Sequence, residues 1–163
     1  MTDGRRRQIA VCGPAECAER EARYATEVGR LLAEAGAVVV CGGGGGVMAA
    51  VAAGARSAGG LVLGVLPEAD RRAAGPDLSA ALATGMGQAR NVIVAASGDA
   101  VIVIGGSWGT LSELAHAYRL GVPVVCLGGW GIVDSAGRPV DLTIAPDPAA
   151  AVRLALELAS HRA

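Results

Sequence analysis

Residues 101–113 read VIVIGGSWGTLSE, and this stretch constrains the fold more than any other. Four β-branched residues, Val101, Ile102, Val103 and Ile104, make the short apolar run expected of a parallel strand buried on both faces. Gly105, Gly106 and Gly109 follow at once, and a helical spacing of apolar side chains then begins at Leu111, Leu114, Ala115 and Tyr118. Strand, glycine turn and helix start in that order set free backbone N–H groups, and the positive end of a helix dipole, at the carboxyl edge of a sheet. Such an edge receives an anion, most often a phosphate.

The rest of the chain repeats the pattern. Apolar runs at 8–12, 38–41, 61–66, 79–84, 122–127 and 140–144 read as further strands, and helical patterns cover 19–35, 47–58, 88–97 and 148–160. Asp147-Pro148 gives the last helix its N-cap and first-turn proline. Strands alternating with helices predict an α/β fold of the Rossmann-like, doubly wound kind, with a mostly parallel sheet and helices on both faces. With 163 residues, of which 52% are hydrophobic, one domain spanning 1–163 is expected, residues 1–7 forming a flexible tail. The helices at 47–58 and 88–97 carry so few polar residues that each needs cover on two faces. That predicts a homodimer or higher homo-oligomer.

Composition removes several functions. All 14 basic residues are Arg, so there is no amine for a pyridoxal-phosphate Schiff base, a P-loop lysine or a lysine nucleophile. A net charge of -1 argues against nucleic acid as a partner, and the apolar runs are too short and too broken to span a membrane. Arg5-Arg6-Arg7 is followed by too short an apolar run for a signal peptide, so a cytoplasmic protein is expected. Cys12, Cys41 and Cys126 end apolar runs and read as buried thiols. No C-x-x-C pair occurs, and Glu113 with His116 lacks further ligands, so neither a metal site nor a bound cofactor is expected.

The chemistry gathers at two glycine loops on one predicted sheet edge, Gly42, Gly43, Gly44 and Gly45 after the second strand, and Gly105, Gly106, Ser107, Gly109 and Thr110 after the central one. Together they suit a ligand with a phosphate and a second polar part, although tight turns alone also use glycine. The spacing does not match the G-x-G-x-x-G dinucleotide fingerprint. Arg90, in an apolar helix starting at the same edge, must find an anion, and Asn91 can add an amide contact. Trp108 is placed to stack on a base. Thr110 and Glu113 fit a helix capping box, yet a carboxylate there also points along a ligand cleft, where it can orient a water or stabilise positive charge on a sugar. The sequence leaves both readings open.

GGSWGTLSE at 105–113, GGGGGVM at 42–48 and TGMGQARN at 84–91 together resemble the LOG (Lonely Guy) family, long labelled putative lysine decarboxylases, and most of all its short bacterial branch, similar to molybdenum cofactor carrier proteins. The resemblance spans about residues 8–160. It implies a Rossmann-like fold, an oligomer and a small phosphorylated ligand, either a nucleoside monophosphate or a pterin-type cofactor. LOG enzymes are phosphoribohydrolases, which split a nucleoside 5′-monophosphate into free base and ribose 5-phosphate. By motif, the resemblance makes Glu113 the catalytic carboxylate and Arg90 the catalytic arginine, with Gly106, Gly109 and Thr110 holding the phosphate. The enzymes have Pro where this chain has Ile104 and Arg-Lys where it has Arg90-Asn91. The carriers keep the fold and bind without turnover, and Asn91 leans toward them.

Overall fold

The computed structural model describes residues 5–161. Seven strands form one sheet: β1 (Gln8–Cys12), β2 (Val38–Cys41), β3 (Leu61–Leu66), β4 (Ala80–Ala83), β5 (Ala100–Ile104), β6 (Val124–Leu127) and β7 (Thr143–Ile144). Their order is β4-β3-β2-β1-β5-β6-β7, and every neighbouring pair is parallel. Four α-helices lie between strands, α1 (Glu19–Glu34), α2 (Val47–Ser57), α3 (Asn91–Ser97) and α4 (Trp108–Arg119), and a fifth, α5 (Pro148–Ser160), follows β7. The Rossmann-like, doubly wound expectation holds.

The strand sequences split between the two faces by their period of two. Ile9, Val11, Val39, Cys41, Ile102 and Ile104 pack beneath α1, α2 and α5. Ala10, Cys12, Val40, Val101 and Val103 pack beneath α3 and α4. A strand such as β5 is therefore apolar at every position, which is why it reads as a continuous run rather than an alternation. The order of strands reverses direction in the chain between β1 and β5, and that switch point is where an open α/β sheet leaves a crevice.

One expectation is met in an unforeseen way and one is corrected. The second face of α2 is covered within the chain: α1 lies against it so closely that a Cβ on Gly29 or Gly54 would overlap the other helix's backbone. The apolarity of α2 thus needs no second subunit. The strand expected at 140–144 shrinks to Thr143–Ile144, because Val140 N–H donates to the Ile132 carbonyl and Val133 bridges Pro139. Residues 132–140 fold back on themselves around Asp134, whose carboxylate accepts from the N–H groups of Ala136 and Arg138.

Of the tail expected at 1–7, residues 1–4 lie outside the described residues, and Arg5 comes within 3.9 Å of Asp99. No helix among the described residues is long and apolar enough to cross a membrane.

Candidate functional site

A cavity of about 650 Å³ opens at the carboxyl ends of β1, β2 and β5, on the switch point. Gly13, Gly42, Gly43 and Gly44 form one wall, and Ser107, Trp108, Gly109 and Thr110 form the opposite one. Arg90, Asn91 and Glu113 lie between them.

Helix α4 begins at Trp108, three residues earlier than a Thr110 cap would place it. Its N-cap is Ser107, whose Oγ accepts from Thr110 N–H at 3.3 Å and lies 2.9 Å from Thr110 Oγ1. The Thr110–Glu113 capping box does not form, because the earlier start puts Glu113 in the second turn, too far inside to reach the cap. Its carboxylate is left for the cavity. The N–H groups of Trp108 and Gly109, in the first turn, have no intrahelical acceptor, and both residues line the cavity at the dipole's positive end.

Arg90 sits where a 3₁₀ turn at Gly87–Arg90 passes into α3, and it is only 6% exposed. Its guanidinium donates to Asn91 Oδ1, reaches the Gly42 carbonyl at 3.5 Å and stands 3.7 Å from Glu113 Oε1. The Nε–H of Arg90 is buried without a hydrogen-bond partner. A buried cation with one donor unsatisfied is costly and calls for a further acceptor. Asn91 Nδ2 in turn donates to Gln88 Oε1 at 3.5 Å.

Glu113 is also 6% exposed. Burial pushes its carboxyl up from the ordinary 4.5 to about 7, while Arg90 and the Cys12 thiol pull it partly back. Cys12 ends β1 nearby, and burial with the neighbouring Glu113 raises that thiol well above its usual value, so it stays protonated. Burial likewise holds Cys41 up at about 11. These are inert thiols supporting the site, and all four cysteines are free.

The structure thus gathers Arg90, Asn91, Glu113, Gly42, Gly43, Gly44, Ser107, Trp108, Gly109 and Thr110 around one cavity. Gly45, Gly105 and Gly106 stand outside its lining. Gly45 is exposed near the Ala15 carbonyl, Gly105 is buried against Glu21 and Gly129, and Gly106 lies under Trp130. Sequence reasoning missed Cys12, Met48 and Glu68. Glu68 lines the cavity from the loop after β3, while the Asp70–Arg72 pair in that loop is exposed. The signal for Cys12 is its position at the end of the strand beside β5; nothing local marks the other two. Among the described residues no group of three or more His, Cys, Asp or Glu gathers as a metal site.

Comparison with known proteins adds three kinds of finding. The SLOG cluster4 family model matches residues 6–151. An uncharacterized protein of Archaeoglobus fulgidus is 48% identical over 120 residues, covering 74% of this chain and 79% of its own. Among solved structures, the molybdenum cofactor binding protein of the phototrophic bacterium Rippkaea orientalis superposes with a TM-score of 0.85 at 32% identity, over 96% of this chain and 99% of that one. The Moco carrier protein of Chlamydomonas reinhardtii does so with a TM-score of 0.84 at 32% identity, over the same 96% and 99%.

Proposed function

The chain belongs to the SLOG cluster4 family, and we propose that it is a binding or carrier protein for a phosphorylated, pterin-type ligand of the molybdenum cofactor kind. The observation that carries this reading is the unpartnered Nε–H of buried Arg90 at the edge of a cavity that also holds the first-turn N–H groups of α4. A phosphate in that cavity faces the under-satisfied guanidinium and the positive end of the helix dipole in one place. The neighbours in Rippkaea and Chlamydomonas, alike over their whole length, support the cargo. Residues Gly42, Gly43 and Gly44 bring backbone close to the ligand from the other side, and Asn91 fixes the guanidinium through its Oδ1.

This reading predicts that isolated molybdenum cofactor raises the melting temperature in a saturable way and is recovered unchanged. Absence of any shift at saturating cofactor overturns it.

A second reading, nucleoside 5′-monophosphate phosphoribohydrolase, is favoured by one observation: Glu113, held near 7 and 3.7 Å from Arg90, is poised to gain or lose a proton at neutral pH. Chromatography of the protein incubated with a panel of nucleoside monophosphates separates the two. Free base released by the wild type and not by Glu113→Gln establishes the hydrolase, with Glu113 placing water on the ribosyl carbon.

The homo-oligomer now rests on α3 alone, where Val92 and Ile93 stay half-exposed and Ile93 shares a shallow hollow with Leu63 and the exposed Leu82. Light scattering at twice 16.1 kDa or more supports it, and a monomer at working concentration removes it. A cytoplasmic setting accords with the four free cysteines.

A further inference from the structure

The chain has no Phe, two Tyr and two Trp, and its two tryptophans touch each other, Trp108 from the lining of the cavity and Trp130 from just outside it. Trp108 and Trp130 have ring centroids 5.2 Å apart with their planes tilted by 45°. Trp108 is 78% exposed and lines the cavity. A ring so exposed, held on the first residue of a helix, forgoes burial that an aromatic side chain ordinarily gains.

Trp130 is held by backbone arrangement rather than chance. A Cβ on Gly106 would lie 2.7 Å from its indole Cδ1 and Nε1, so the ring rests directly on that glycine. Gly129, at φ +99, lies so near that a Cβ on it would overlap the Gly105 carbonyl, which brings the loop after β6 onto the loop after β5. The fold-back at 132–140 closes the loop behind it. Two glycines, Gly106 and Gly129, are thus used to seat one indole against the other.

We infer that Trp108 and Trp130 form an aromatic platform that takes the planar heteroaromatic ring of the ligand while its phosphate lies at Arg90 and the start of α4. The inference rests on the phosphate-binding reading above and adds the ring class and the residues that select it. Stacking on an indole is tolerant of which flat ring is offered, so flat heteroaromatic rings as a class, those of pterins and guanine among them, are expected to bind.

Because these are all the tryptophans of the chain, tryptophan emission, excited selectively over the two tyrosines, reports on the platform alone. The probes are GMP, which has the ring, and ribose 5-phosphate, which has the same phosphate without it. Both are expected to raise the melting temperature, and GMP alone to quench the emission. Trp130→Ala and Trp108→Ala each weaken GMP roughly tenfold and leave ribose 5-phosphate unchanged, while Trp130→Phe restores most of the GMP affinity. Equal affinity for GMP and ribose 5-phosphate with no change in emission overturns the platform and leaves the phosphate site standing. Failure of both probes to bind removes the phosphate site, and the platform with it.

Discussion

Residues 42–46 after β2 and residues 105–109 after β5 leave the sheet at one edge, yet their glycines serve different ends. In the first loop Gly42, Gly43 and Gly44 face the cavity. In the second, Gly105 and Gly106 are consumed by packing, against Glu21, Gly129 and Trp130, and only Ser107 onward reaches the ligand space. A glycine run thus marks close approach of something to the backbone. Whether that something is a ligand or another loop depends on what the fold brings opposite.

The sharpest way to break this comparison is at the packing contact of the second loop. Gly129→Val meets both a positive φ and the immovable backbone of Gly105, so we expect a loss of roughly 3–5 kcal/mol, read by chemical denaturation. A loss under 1 kcal/mol would mean that the two loops do not touch as described.

Next in size is the pH dependence of Glu113. Its folded value of about 7 lies above its ordinary 4.5, so the folded state holds the proton more tightly than the unfolded chain does. The resulting stabilisation is complete below about pH 4.5, falls as pH rises and is gone above about 7, an effect of roughly 3 kcal/mol. Glu113→Gln removes that slope. Melting curves from pH 5 to 8 should therefore show wild type losing stability relative to the variant as pH rises. Parallel curves would show that Glu113 is not held in its buried, proton-binding state.

Much of this was legible in the residues, and the exceptions have physical causes. β5 is legible because a strand buried on both faces must be apolar throughout, and the Rossmann-like order follows from strands alternating with helices. Arg90 is legible because an arginine in an apolar helix start needs an anion. The capping box misleads because Ser107, Thr110 and Glu113 offer two overlapping frames, and only backbone geometry selects Ser107. The cover of α2 is hidden because Gly29 and Gly54 signal close helix contact only once α1 and α2 are known to cross. Trp130 is 22 residues from Trp108 in sequence, and no local pattern joins them.

Smaller effects sharpen the comparison on the ligand side. Gly42→Ala places a Cβ 2.6 Å from Arg90 Nη2, so the guanidinium must move. Affinity for ribose 5-phosphate should fall by roughly tenfold or more, the equivalent of about 1.5 kcal/mol from a displaced charged hydrogen bond, with little unfolding. Unchanged affinity would detach Arg90 from the phosphate.

Smallest of all is the pair formed by the next glycines. Gly44 lines the cavity and Gly45 does not, yet neither needs a left-handed backbone, and a Cβ would meet only the Met48 methyl at 3.0 Å in one case and the Ala15 carbonyl at 3.4 Å in the other. Alanine at either site should leave stability within about 0.5 kcal/mol or raise it slightly, because the unfolded chain loses freedom. Their binding should differ. Gly44→Ala puts a methyl where ligand approaches backbone and should weaken phosphate binding a few-fold, whereas Gly45→Ala should bind as wild type. Equal effects on binding would mean that the first loop, like the second, is glycine for the sake of its own packing.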